Sequence, residues 1–137
     1  MKHAITAVAF AVTVAGCSTT SDGLKSTTDT SRNFTLQENY QQVYRRTRAA
    51  FVCNDGAWAG VFASSEIEAE LYPDLGFAEV SSKLQNFGAA NYYWTIELRS
   101  LDGATDVVIY AGNTLQNEGS ANFLESVVRG TDKGPCS

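Results

Sequence analysis

Two stretches of strict alternation constrain the fold of this chain more than any other feature. In Glu66-Ile67-Glu68-Ala69-Glu70-Leu71 acidic and apolar residues change places at every step, and from Tyr92 to Arg99 the set Tyr92, Trp94, Ile96, Leu98 alternates with Tyr93, Thr95, Glu97, Arg99. A period of two belongs to a strand with one face covered and the other wet. Each stretch has a neighbour to pair with. Pro73-Asp74-Leu75-Gly76 supplies turn chemistry before a second strand at Phe77 to Leu84, with Ala78, Val80 and Leu84 inward. Asp102-Gly103 is a favoured hairpin dipeptide ahead of a fourth strand at Thr105 to Ala111. Four strands joined by short connections predict an antiparallel meander.

Helical spacing flanks these strands. Thr35-Leu36-Gln37-Glu38 fits a capping box, in which a hydroxyl accepts from the N3 amide and a carboxylate reaches back. From there Leu36, Tyr40, Val43, Tyr44, Thr47, Ala50 and Phe51 form one apolar stripe. Gln41, Gln42, Arg45, Arg46 and Arg48 share the opposite face, with the arginines toward the negative end of the helix dipole. Ala121, Leu124, Val127 and Val128 repeat the helical spacing, and Gly130 is placed to stop that helix. The expected fold is α+β: an N-terminal helix, a four-stranded antiparallel meander sheet and a C-terminal helix, both helices on one face of the sheet. One compact domain is expected over residues 34–137. A domain of about 100 residues buries only about two-thirds of its unfolded surface, so its core is modest.

The beginning of the chain follows other rules. Met1-Lys2-His3 is a short basic segment, and Ala4 to Ala15 is apolar apart from Thr6 and Thr13, the layout of a secretory signal and too short to span a bilayer. At its end Val14-Ala15-Gly16-Cys17 resembles the lipobox of bacterial lipoproteins, with Val in the position usually held by Leu. That resemblance implies a signal peptide of residues 1–16, a diacylglycerol on the Cys17 thiol and an acyl chain, such as palmitate, on its new amino group. It also implies a partner, the lipid bilayer, since several acyl chains anchor a protein without a spanning helix. Ser18, where Asp would retain a Gram-negative lipoprotein in the inner membrane, implies the periplasmic face of the outer membrane. Residues 18–33, STTSDGLKSTTDTSRN, hold a lone Leu24 among Ser and Thr, and are expected to be a disordered tether between Cys17 and the domain.

Cleavage before Cys17 changes what chemistry the rest can do. It removes Lys2, leaving nine Lys and Arg against fifteen Asp and Glu, a formal balance of −6. A chain so acidic, without a basic stripe, lacks the counterion-release term that drives nucleic-acid binding, so no nucleic-acid partner is expected. It also removes His3, the one histidine. Ser-His-Asp and Cys-His catalysis and His-based zinc sites then have no imidazole to use. No enzymatic activity, cofactor or metal is expected; the remaining enzymatic route is a carboxylate pair at glycosidase separation. With Cys17 assigned to lipid, Cys53 and Cys136 are an even pair in an oxidising compartment and are expected to form a disulfide.

The candidate binding face is the wet side of the sheet, Glu66, Glu68, Glu70, Tyr93 and Glu97, with Glu79 and Lys83 alongside on the neighbouring strand. It suits an envelope protein partner in a non-enzymatic binding or structural module. The alternative is a small ligand or a cation such as calcium on the same acidic row. Phe51-Val52-Cys53-Asn54-Asp55-Gly56, followed by strands, an aromatic-rich segment and a late cysteine, resembles the membrane-bound inhibitors of C-type lysozyme. Those inhibitors are acidic periplasmic lipoproteins. This chain departs from them in lacking their Ser-Gly and Thr-Lys-Gly-type inhibitory loops, and in beginning and ending its domain with helices where they are all-β.

Overall fold

The computed structural model describes residues 18–54, 58–60 and 63–136. The expected signal peptide, the lipobox-like segment and Cys17 lie outside the described residues, as does most of the turn expected at 54–56. The element order is α1 (Ser21–Thr27), β1 (Thr30–Leu36), α2 (Tyr40–Phe51), β2 (Trp58–Gly60), β3 (Ala63–Tyr72), β4 (Phe77–Asn86), β5 (Ala89–Leu101), β6 (Ala104–Ala111) and α3 (Asn117–Val128). The class is α+β. The strands form one antiparallel sheet in the order β1-β6-β5-β4-β3-β2.

The expected meander is the middle of this sheet, not the whole of it. Five strands of seven residues or more are present among the described residues, with β2 a three-residue edge segment. The added full strand is β1, which pairs with β6 from Thr30 opposite Ala111 to Leu36 opposite Thr105. Its first four residues belong to the stretch expected to be a disordered tether, and that expectation is corrected. Thr30, Arg32, Phe34 and Leu36 alternate with Ser31, Asn33 and Thr35, a period of two that serine-rich composition conceals.

The rest of the supposed tether is folded as well. Thr20 caps α1 by accepting from the Gly23 amide at 2.9 Å. Leu24, the lone apolar residue of the stretch, is 0 % exposed. It lies against the Gly112 backbone so closely that a Cβ on Gly112 would come within 2.6 Å of Leu24 Cδ1. An apolar residue with no helical repeat around it carries no local signal of burial. Its partner arrives only after β6.

Helix α2 begins later than the capping box suggests. Thr35 and Leu36 are strand residues, and Asn39 is the cap, its side chain accepting from the Gln41 amide at 2.9 Å. Pairing with β6 outcompetes the local box. The rest of the stripe holds: Tyr40, Val43, Tyr44, Thr47, Ala50 and Phe51 are buried. They share a core with Ala78, Val80, Ile96, Leu98, Val107 and Ile109 of the sheet and with Leu124, Val127 and Val128 of α3. Helix α3 ends in a Schellman arrangement, with Gly130 at φ 75°, its amide donating to Val127 and the Thr131 amide donating to Ser126.

Cys53 and Cys136 are joined, with their Cα atoms 5.4 Å apart and a sequence separation of 83. Closing so long a loop lowers the entropy of the unfolded chain by on the order of 4 kcal/mol. The Cys136 amide also donates to Ala50 C=O at 3.2 Å, fixing the tail against the end of α2.

Candidate functional site

The register aligns the polar residues of β3, β4 and β5 in transverse rows. Glu70 lies opposite Glu79, and Glu79 opposite Glu97; one row on, Glu68 faces Ser81 and Ser81 faces Thr95; the next row is Glu66, Lys83 and Tyr92. Three carboxylates abreast repel one another across the strands. The relief comes from α1. Lys25 Nζ sits 2.6 Å from Glu79 and 2.8 Å from Glu97, and reaches Asp22 at 3.1 Å. Arg99 adds a second cation to Glu97 at 3.0 Å.

Each remaining carboxylate has a partner of its own. Lys83 pairs with Glu68 and, at 3.4 Å, with Glu66, while the Tyr92 hydroxyl donates to Glu68 at 2.5 Å. The Tyr72 hydroxyl donates to Glu70. A hollow of about 90 Å³ remains between Ser21, Glu68, Glu70, Glu79 and Ser81.

The titration of these groups follows from the pairing. Burial pushes the Glu97 carboxyl up, but the hydrogen bonds from Lys25 and Arg99 outweigh it and hold the group below the ordinary carboxylate range. Burial likewise works against ionised Glu68, and Lys83 and Tyr92 overcome it. Lys25 is shifted the other way, its burial overridden by Glu79, Glu97 and Asp22 so that it stays protonated above the usual range for lysine. Burial and then the Glu68 contact raise Tyr92. These carboxylates are held as ions, whereas a general acid needs its proton kept near neutral pH.

Of the expected binding face, Glu66 and Glu68 are half-buried and Glu70 is exposed. Glu97 is 6 % exposed, closed over by the lysine of α1. Tyr93 is the extra residue of a bulge, since Ser82 pairs with Trp94 but Lys83 pairs with Tyr92. It is half-buried and its C=O accepts from the Gly112 amide at 2.9 Å. The bulge also overturns the expected alternation of β5: Tyr92 joins Glu68 and Lys83, not Trp94, which packs 4.7 Å from the Phe51 ring. A bulge shifts the phase of every residue before it, and the sequence of β5 has no glycine to mark one.

No protein-family model matches this chain, and no curated protein does. Among the described residues no group of three or more His, Cys, Asp or Glu side chains is arranged to hold a metal ion, and no helix is long and apolar enough to cross a membrane.

A second surface lies at the turn joining β3 to β4. Tyr72 and Phe77 stack at 6.0 Å, the Arg99 guanidinium lies 5.3 Å over the Phe77 ring, and Leu75 is 76 % exposed beside them. Leu75, Gly76, Phe77, Arg99 and Ser100 line a shallow depression of about 410 Å³. In the sequence Pro73 to Gly76 reads only as a turn. The apolar and aromatic residues inside and beside that turn, Tyr72, Leu75 and Phe77, were the available signal.

Proposed function

We propose that this protein is a non-enzymatic lipoprotein of the bacterial envelope, anchored through acylated Cys17 at the periplasmic face of the outer membrane and serving as a binding or structural module for another envelope protein. One observation supports the reading above the rest: Ser18 is bonded into the fold, its C=O accepting from the Tyr92 amide at 3.0 Å and its hydroxyl 2.9 Å from that of Thr27. An anchor on the preceding residue then mounts the domain on the bilayer without an intervening tether. In this reading α2 and α3 close one face of the sheet and α1 closes the charged face. The surface offered to a partner is the β3–β4 turn, where exposed Leu75 and the Arg99–Phe77–Tyr72 stack have the Arg and aromatic character of interface anchors.

The anchor is tested by growing cells that express the full chain with radiolabelled palmitate. Label in the membrane-bound protein that disappears in Cys17→Ser supports the reading; an unlabelled or freely released wild-type chain ends it. The partner surface is tested by photo-crosslinking from position 75. A specific adduct with an envelope protein is expected, and its absence argues against docking at this turn.

A further inference from the structure

Two tight hairpin turns in the sheet meet the same backbone requirement with different residues. At the β5–β6 turn Asp102 and Gly103 have φ of 45° and 87°; at the β4–β5 turn Phe87 and Gly88 have φ of 46° and 82°. Asp before Gly is what such a turn selects, because a short polar side chain tolerates positive φ and bonds locally. A bulky aromatic residue there carries a steric penalty that Asp and Asn largely avoid. Phe87 is 80 % exposed. Leu115, in the loop between β6 and α3, is fully exposed.

The topology brings both residues to the end of the sheet where the described chain begins. Tyr92 donates its amide to Ser18 and accepts at its C=O from Asn113 Nδ2 at 2.7 Å, so the chain start and the loop carrying Leu115 meet on one residue of β5. Phe87 lies five residues away toward the tip of the β4–β5 hairpin, about 16 Å at the rise of a strand. Asn86 to Asn91, Gly112 to Asn117 and Ser18 to Ser21 hold no ionisable side chain in a chain with fifteen Asp and Glu, and the exposed carboxylate beside them is Asp29, which lines a hollow with Gly112, Asn113 and Asn117.

We infer that this end lies against the bilayer, with Phe87 and Leu115 entering the boundary between headgroups and acyl chains beside the lipid-bearing Cys17. The inference rests on the lipoprotein reading above. Cys17 is joined directly to Ser18, whose backbone is held by β5, so acyl chains on Cys17 leave the domain here and no slack allows another surface to face the membrane. Apart from Asp29, the segments that would meet the headgroups carry no carboxylate to desolvate or to be repelled by anionic lipid. Phe and Leu are residues that bury into this boundary.

The test uses the full chain, purified with its lipid and reconstituted into vesicles of phosphatidylcholine brominated in mid-chain, mixed with phosphatidylglycerol. Phe87→Trp, Leu115→Trp and Leu75→Trp each add one fluorophore, and the extra quenching over the unsubstituted chain is read. Quenching at 87 and at 115 is expected to exceed that at 75 by about threefold or more, as insertion beside the acyl chains requires. Equal increments at all three positions in a chain whose mass shows the acyl groups overturn the orientation alone, as does the shielding of this end by a protein. A membrane-derived chain without acyl mass on Cys17 overturns the lipoprotein reading and the orientation with it. Leu115→Trp lies on the surface of a loop, so its result stands even if the strained turn rejects Phe87→Trp.

Discussion

The residues of the sheet that point into the core and those that alternate with them are covered by different means. Ala78, Val80, Ile96, Leu98, Val107 and Ile109 belong to one core cluster with apolar residues of α2 and α3, where many apolar contacts share the load. Glu79, Glu97 and their neighbours are closed by the seven-residue α1 with one buried leucine and one lysine. A helix so short has almost no stability of its own and stays formed only while it is seated. Area-driven cover is non-directional and comes apart only with the whole domain. Cover by two side chains is directional, and it can be lost while the domain survives.

Removing core volume should produce the largest effect. Ile96→Ala is expected to cost about 3 kcal/mol of global stability through the cavity it leaves, measured as a lower urea midpoint. If the loss were below about 1 kcal/mol, within the range of a surface change, the shared core would not be the main support of the fold.

Lys25→Met should follow at about 2 kcal/mol, because it leaves Glu79 and Glu97 facing each other with Arg99 alone to compensate. The sharper signature is where the loss appears. The Leu24 and Thr28 amides, which donate to Thr20 and Leu24, should exchange with solvent much faster, while those of β6 keep their protection. Equal acceleration in α1 and β6 would mean that the two kinds of cover are not separable.

The same network sets the pH response. Glu97 and Glu68 lie below the ordinary carboxylate value of 4.5, so their contribution is full above it and is lost as pH falls through the lowered values. Lys25 lies above the ordinary 10.5, so its contribution is full below that and is lost as pH rises through the raised value. Stability from the network should therefore be level between about 4.5 and 10.5, and Lys25→Met should reduce the Glu97 part of the acid limb and remove the Lys25 part of the alkaline limb, leaving the Glu68–Lys83 part in place. A variant whose acid limb keeps the wild-type slope would place the acid sensitivity elsewhere, at Glu68 beside Lys83 or Glu38 beside Arg46.

Thr47→Val gives the smallest expected change, and it is a gain. The Thr47 hydroxyl is buried in the α2 stripe without a hydrogen-bond partner among the described residues. Exchanging it for a methyl should stabilise the domain by about 1 kcal/mol, read as a higher urea midpoint. A loss instead would show that this hydroxyl has a bonded role in the core.

What could be read from the sequence divides along the same line as the two covers. Val80, Ile96, Leu98, Val107 and Ile109 signal through period two, and Tyr40 to Phe51 through helical spacing, because burial by area leaves a repeating pattern. The Cys53–Cys136 link follows from a count of thiols. Leu24 and Lys25 leave no pattern, since the meaning of each depends on residues far along the chain: Gly112 for the leucine, Glu79 and Glu97 for the lysine. The candidate binding face was legible as a row of carboxylates, but the side chains that neutralise it sit in a segment whose composition reads as linker. The bulge at Tyr93 and the cap at Asn39 were hidden for a related reason, since pairing between distant strands overrides the local signal.

The pairing of β1 with β6 also bears on how the chain assembles. The first strand has no partner until the last strand exists, so the fold cannot be built progressively from its start. A chain delivered start-first must hold residues 18–36 open until Ala111 arrives, and only then can α1 settle on Gly112. Contacts of such long sequence separation slow folding and prolong the exposure of unpaired strand edges. Residues 18–36 thus precede the rest of the domain in the chain and yet wait for β6 before they can pair.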